Sequence, residues 1–537
     1  MKKSERVLTV LTIVKFIVPF ILALISLRLT HDVRFPIAVL VDSLIAFAIT
    51  NLVASWNKIV AWVVSVLLMF IIYAQTAVMF FTSRYIQLIM LTNLESIEAL
   101  QGHALTYGSM VALSLLVLLC RVTYIKIHEK NRTILVCALV ACCWVPFVLR
   151  AYSPFAGAVS LADSARLRHE AELRISNIAA EHPAEILAEF YSDTVGDGRY
   201  APADLTHKPN VIIIFTEGLS SRVIDDERDI MPNVRYYREH SLNFDNYYDH
   251  TAATYRGIIG QLYSSHQYHN GDTNTLVSLE SVFSDYGYET TFVNPEPEQE
   301  PFVVYLDSLG FDTLTSGGIT EGLISDQDDY AIVLDNLREG VELGVPQLVA
   351  TYTFGTHVAM DPDDNKFDDG SISILNRFHN CDAAFGEFMD NLREEGLLEN
   401  TVIIFTTDHA TYVDDDYLAG FSGEDRFDSF CDEIPLFIYY EGIEPETIDA
   451  GGRNSLEFAP TVLDYLDMDA PNYFLGTSLF LPMRNPLMET VFCVPEGGWR
   501  TSSADGELRN LTDEEIQEFS AQLERYLSLT TATDNPI

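Results

Sequence analysis

The sequence predicts an α/β chain in two parts: a multi-span helical membrane domain, then a doubly wound, mostly parallel sheet. Three observations lead there. Residues 1–150 hold apolar segments near the roughly 20 residues that a bilayer-spanning helix needs. Two later runs, Val211–Thr216 and Val402–Thr407, are almost continuously apolar, as in parallel strands buried on both faces. Around them, short apolar runs alternate with polar stretches of helical period. The expected division is a membrane domain of about five helices over 1–150, connecting helices over 151–205 and a large domain over 206–537.

Five apolar segments mark the expected spans: Val7–Arg28, Pro36–Ala54, Ile59–Phe81, Leu105–Cys120 and Ile134–Leu149. No cleavable signal peptide is expected, because the first segment is long, lacks a cleavage-type ending and is followed by further spans. Lys2, Lys3 and Arg6, then Lys58, then Arg121, Lys126, Lys130 and Arg132 all fall on one side of a five-span arrangement. Basic residues mark the cytoplasmic side, so everything after Arg150 is expected outside a plasma membrane that the chain crosses several times.

The net charge of −44, from 33 Lys and Arg against 77 Asp and Glu, resides mainly in the outer part. Such a surface excludes nucleic acid as a partner, since phosphate contact needs Lys and Arg. Four of the seven cysteines lie in or beside the membrane segments. Cys381, Cys431 and Cys493 lie outside and allow at most one disulfide.

In the outer part, Leu161, Ala165, Leu167, Ala171, Leu173 and Ile175 stand among charges, which suits connecting helices across Ser160–Glu181. Gly196, Gly198 and Pro202 then punctuate the chain before the first strand. Further strands are expected at Thr290–Val293, Leu348–Tyr352 and Pro435–Tyr440, with a helix over Ile372–Leu397 leading into the strand Val402–Thr407.

The chemistry collects at strand ends. Val211–Thr216 delivers Glu217, Val402–Thr407 delivers Asp408 and His409, and Leu348–Tyr352 leads through a short loop to His357. In an open parallel sheet the ligand crevice lies beyond the carboxyl ends of the strands, so these residues can converge there. Two carboxylates, an imidazole and a hydroxyl suit a divalent cation, manganese, magnesium or zinc. A hydroxyl beside such an ion is also a candidate nucleophile. The segment His250-Thr251-Ala252-Ala253-Thr254 offers two threonines, and their chemistry alone does not choose between them.

Taken in order behind a membrane anchor, "PNVIIIFTEGLSS", "HTAAT", "TYTFGTHVAM", "VIIFTTDHA", "FAPTVLDYL" and "FLGTSLF" resemble the alkaline-phosphatase-like sulfatase superfamily. Within it they resemble the membrane-anchored lipoteichoic acid synthases and phosphoethanolamine transferases. The resemblance implies a sulfatase-type catalytic domain over 206–537 and one divalent metal held by Glu217, Thr251, Asp408 and His409. It implies Thr251 as nucleophile, by its place at the head of a Thr-small-x-Ser/Thr element, and His357 as a group that binds substrate or protonates the leaving group. The implied reaction moves phosphoglycerol or phosphoethanolamine from a membrane phospholipid to an envelope glycan, polymer or lipid through a phosphothreonine-type intermediate. Sulfatases proper carry Cys or Ser followed by x-Pro-x-Arg, whereas this chain has Thr251 and no such Pro, which disfavours sulfate-ester hydrolysis. Lipoteichoic-acid-type polymerases carry a Trp/Arg-bearing stretch that Phe302–Asp312 does not match, so the transferred alcohol stays open. The rival readings are a hydrolase on the same scaffold, acting on phosphodiesters or sulfuric esters, and a non-catalytic membrane-tethered binding protein.

The charge pattern makes a topological prediction. A reporter fused after Ile537 should signal from the outer side of the membrane; a cytoplasmic signal would contradict the orientation.

Overall fold

The computed structural model describes residues 3–27, 33–82, 85–86, 114–115, 118–125, 136, 152–181, 183–202, 208–267, 272–358, 360–363, 365–423, 426–494, 498–502 and 507–530. The chain divides into two compact units, Met1–Glu170 and Ala171–Ile537.

In the first unit, α1 (Lys3–Ile25), α2 (Arg34–Ala54) and α3 (Lys58–Thr82) pack on one another. Among the described residues these are the three helices long and apolar enough to cross a membrane. The expected spans Leu105–Cys120 and Ile134–Leu149 lie outside the described residues, apart from a few positions. Two buried ionisable groups inside this unit have local hydrogen-bond partners. The Lys15 Nζ donates to the Leu118 carbonyl at 2.6 Å and to Ser65 Oγ at 3.0 Å. The Asp42 carboxylate accepts from Ser153 Oγ at 2.8 Å and from the Phe155 N–H at 3.0 Å, capping the first turn of α4 (Pro154–Glu181).

The second unit is built on a mixed sheet of eight strands. These are β1 (Asn210–Thr216), β2 (Leu242–Tyr248), β3 (Glu289–Val293), β4 (Thr313–Thr315), β5 (Gln347–Thr353), β6 (Thr401–Thr407), β7 (Phe437–Tyr439) and β8 (Glu446–Asn454). Their spatial order is β4-β3-β5-β1-β6-β7-β2-β8, and every pairing is parallel except the two made by β7. A second, antiparallel sheet joins β9 (Val491–Val494), β10 (Gly498–Thr501) and β11 (Arg509–Asn510).

Central strands explain the continuous apolar runs. β1 lies between β5 and β6, and all three are buried throughout. Val211, Ile213 and Phe215 enter one core, with Leu348, Ala350 and Tyr352 of β5 and Val402 and Ile404 of β6. Ile212 and Ile214 enter the core on the opposite face, with Val349, Ile403 and Phe405. Successive side chains point to opposite faces, so a strand covered on both sides is apolar at most positions until it ends. The helix α5 (Thr254–Tyr263) contributes Ile258, Ile259 and Leu262 to the first core, while α6 (Asp326–Leu343) and α7 (Ser373–Glu394) supply the second. Cys381, Cys431 and Cys493 are all free thiols.

Register then sets the site. Thr216 of β1 is level with Thr353 of β5 and Thr407 of β6, so the three strands finish together and their following residues share one edge.

Candidate metal centre

Two turns at that edge are laced to each other. Glu217 follows β1 with its N–H on the Thr353 carbonyl at 3.1 Å, and the Asp408 N–H reaches back to the Thr216 carbonyl at 3.3 Å. Gly218 takes φ 51°, a conformation costly for a side-chain-bearing residue, and its N–H donates to Asp408 Oδ1 at 2.9 Å. Thr407 Oγ1 accepts from the Leu219 N–H at 3.0 Å, while Ser220 and Thr411 exchange backbone-to-hydroxyl bonds at 3.0 and 3.1 Å. Below the second turn, the buried Asp249 carboxylate accepts from the N–H groups of Ala410 and Asp432.

This lacing brings one ligand atom each from Glu217, Asp408 and His409 within 4.8 Å of one another, all three residues buried. His409 Nε2 lies 3.5 Å from both Glu217 Oε1 and Asp408 Oδ2. Its Nδ1 is 2.9 Å from the Ala410 carbonyl, which can accept only from a protonated Nδ1. Nε2 is thereby the nitrogen aimed at the carboxylates, the arrangement of a metal-ligating imidazole. The ring is backed by Tyr412, stacked at 4.5 Å. Asp408 Oδ2 is buried with no hydrogen-bond partner among the described residues. Two buried carboxylates, one with an orphaned oxygen, and an imidazole turned toward them fit a divalent cation.

Without a cation the imidazole carries the positive charge. Burial pulls His409 down, yet the Asp408 and Glu217 charges outweigh it and raise it to about 10. Burial works to raise Glu217 too, but His409 overrides it and holds the carboxyl low, at about 2. Asp408 is pushed up to about 7, first by burial and then, against the pull of His409, by the neighbouring Glu217 charge.

Of the two threonines in His250–Thr254, the one whose hydroxyl reaches this cluster is Thr254. Its Oγ1 donates to Glu217 Oε2 at 3.2 Å and lies 3.5 Å from the Tyr352 hydroxyl, which also donates to Glu217 Oε2. Thr251, expected here from the order of motifs, is turned away: its buried hydroxyl donates to the Cys493 carbonyl of β9 at 2.9 Å. The physical reason is the start of α5. Ala253 takes φ 89° and ψ 135°, so the helix cannot open at Thr251 and begins at Thr254. Gly257 keeps this helix against the edge, since a Cβ there would stand 2.0 Å from the Asp408 carbonyl oxygen. His357 sits at the rim, half-buried, its ring stacked on Phe354 at 4.5 Å and close enough for its charge to help lower Glu217. Tyr352, Tyr412 and Asp249 were absent from the sequence expectation. Tyr352 alone carried a signal, its alternation with Leu348 and Ala350 along β5.

With this geometry in view, residues 209–468 match the Sulfatase family. The chain is 26% identical over 305 residues to the lipoteichoic acid synthase-like protein YvgJ of Bacillus subtilis, covering 48% of each chain. It is 22% identical over 306 residues to lipoteichoic acid synthase 2 of the same organism, covering 50% of this chain and 46% of that one. A solved protein of the alkaline phosphatase superfamily from Vibrio parahaemolyticus superposes with a TM-score of 0.50 at 16% identity, over 67% of this chain and 95% of that one. The second unit therefore carries a sulfatase-family domain with the alkaline-phosphatase-like fold. The chain is homologous to the Bacillus lipoteichoic acid synthases, and its match spans about half the length of those curated relatives.

A cation entering this cluster must displace the proton held by His409 and, below about pH 7, the one on Asp408. Apparent manganese affinity, measured by titration of chelator-stripped protein, should therefore rise between about pH 6 and 8, by about tenfold per unit or more. A flat profile would contradict this protonation scheme.

Proposed function

We propose that the protein is a membrane-anchored, divalent-metal-dependent phosphotransferase with its catalytic domain outside the cell. It moves a phospho-alcohol group, phosphoglycerol or phosphoethanolamine, from a membrane phospholipid to an envelope glycan, polymer or lipid. The observation that carries this reading is the Thr254 hydroxyl at 3.2 Å from Glu217 within the cluster of two carboxylates and an imidazole. We assign Glu217, Asp408 and His409 as metal ligands and Thr254 as nucleophile, in place of Thr251. When bound, the divalent ion would lower the proton affinity of the hydroxyl and offset phosphate charge in a strongly acidic domain.

The remaining chemistry belongs to the chain. The Thr254 oxygen gives up its proton and bonds to the donor phosphorus as the phosphorus–oxygen bond to diacylglycerol breaks; the departing alkoxide takes up one proton in balance, delivered in our assignment by His357. An acceptor hydroxyl then attacks the same phosphorus and the threonine leaves, regaining its proton. The start of α5 at Thr254 supports the first step, because backbone N–H groups of an opening turn favour a phosphoryl anion. A donor confined to the bilayer explains why three apolar helices precede the domain.

Thr254→Ala should abolish both turnover and the covalent phospho-adduct detected by mass spectrometry after incubation with bacterial phospholipid. Thr251→Ala should keep the adduct and lose only about 1 kcal/mol of stability with its buried hydrogen bond. An adduct lost in Thr251→Ala alone would return the nucleophile to Thr251. Steady release of free phospho-alcohol with no adduct in the wild type would favour hydrolysis by direct attack of water.

A further inference from the structure

Tyr352 contacts the cluster through a hydroxyl that the proposed reaction does not use. It lies in β5 opposite Phe215 of β1, one residue short of the strand end, on the face that α5 covers. It is 1% exposed. Its ring packs edge-on against Phe302 at 5.7 Å and Phe354 at 6.2 Å, so the phenol is held by aromatic contacts independent of its hydroxyl. The hydroxyl donates to Glu217 Oε2, the same oxygen that Thr254 contacts.

We infer that Tyr352 is a positioning residue that fixes which oxygen of Glu217 binds the metal. The inference rests on the metal-site reading above. With Oε2 engaged by two hydroxyls, Oε1 is the oxygen left for the cation, and it is the one that faces His409 Nε2 at 3.5 Å. A carboxylate held by a hydrogen bond on one oxygen presents the other in a single orientation, so the ligand does not have to be ordered when the ion enters. The phenol also has a second consequence. Once the Thr254 oxygen is bonded to phosphorus it has no proton to donate, and Oε2 would lose that donor in a buried position. Tyr352 remains, so the carboxylate keeps its orientation while the nucleophile changes partner.

The test is a manganese titration of chelator-stripped, full-length protein at one pH, with metal-free thermal unfolding measured in parallel. Tyr352→Phe should bind manganese about 10- to 100-fold more weakly than wild type. Its metal-free midpoint should fall only by what one lost hydrogen bond costs, and less than that of Phe302→Leu, because the ring contacts remain. Phe302→Leu, which disturbs the same packing without removing a hydroxyl, should keep wild-type affinity. Wild-type affinity in Tyr352→Phe, with binding lost in Glu217→Ala, would overturn the inference and leave the metal-site reading standing. Equal binding by wild type and Glu217→Ala would overturn both. Weakening by Phe302→Leu as large as that by Tyr352→Phe, or a metal-free midpoint lowered in Tyr352→Phe as far as in Phe302→Leu, would make Tyr352 a packing residue and overturn the inference.

Discussion

Two carboxylates buried beside one imidazole, at the common end of three parallel strands, are the constraint on which the rest of this unit depends. Glu217 and Asp408 are 8% and 0% exposed, so water does little to offset their repulsion. A pair of unscreened like charges at this depth is tolerable only with a positive charge between them. His409 supplies it in the metal-free protein, which is why that imidazole is raised and Glu217 stays ionised. A divalent cation would supply twice the charge and meet the orphaned Asp408 oxygen as well. The same electrostatic pressure that makes the cluster unfavourable alone makes it selective for a cation.

Holding such a cluster together requires rigidity that the side chains do not provide. The continuous apolar faces of β1, β5 and β6 lock the three strand ends in register, and the turns beyond them are tied by hydroxyl-to-backbone bonds through Thr407, Thr411 and Ser220. Thr254, the proposed nucleophile, arrives on a separate element. α5 can approach because Gly257 has no side chain where it meets the Asp408 carbonyl, and it begins at Thr254 because Ala253 leaves the helical region. A positive φ at an alanine costs about 1–3 kcal/mol. Its position immediately before Thr254 places that strain where it orients the threonine side chain.

Much of this was legible in the sequence. β1 and β6 are long, apolar and buried on both faces, so their ends, and with them Glu217, Asp408 and His409, could be read directly. β2 and β8 were missed because β2 carries Asn243, Asp245 and Asn246 and breaks register at that point, while β8 contains Gly451-Gly452 and exposed positions. Neither sustains alternation along its whole length. The choice between Thr251 and Thr254 was illegible for a different reason. It depends on one backbone angle at Ala253, and an alanine gives no sign that its φ will be positive. Tyr352 could be placed on a strand face but not against Glu217, because that contact depends on the register between β5 and β1.

The most direct measurement of the central claim is the anomalous scattering of manganese in crystals of the protein. The account requires one strong peak bounded by Glu217 Oε1, Asp408 Oδ2 and His409 Nε2, at about 2.0–2.3 Å from each, with Thr254 Oγ1 and not Thr251 Oγ1 as the nearest hydroxyl. A peak at the Thr251–Cys493 contact, or none at the three strand-end residues under saturating manganese, would contradict it.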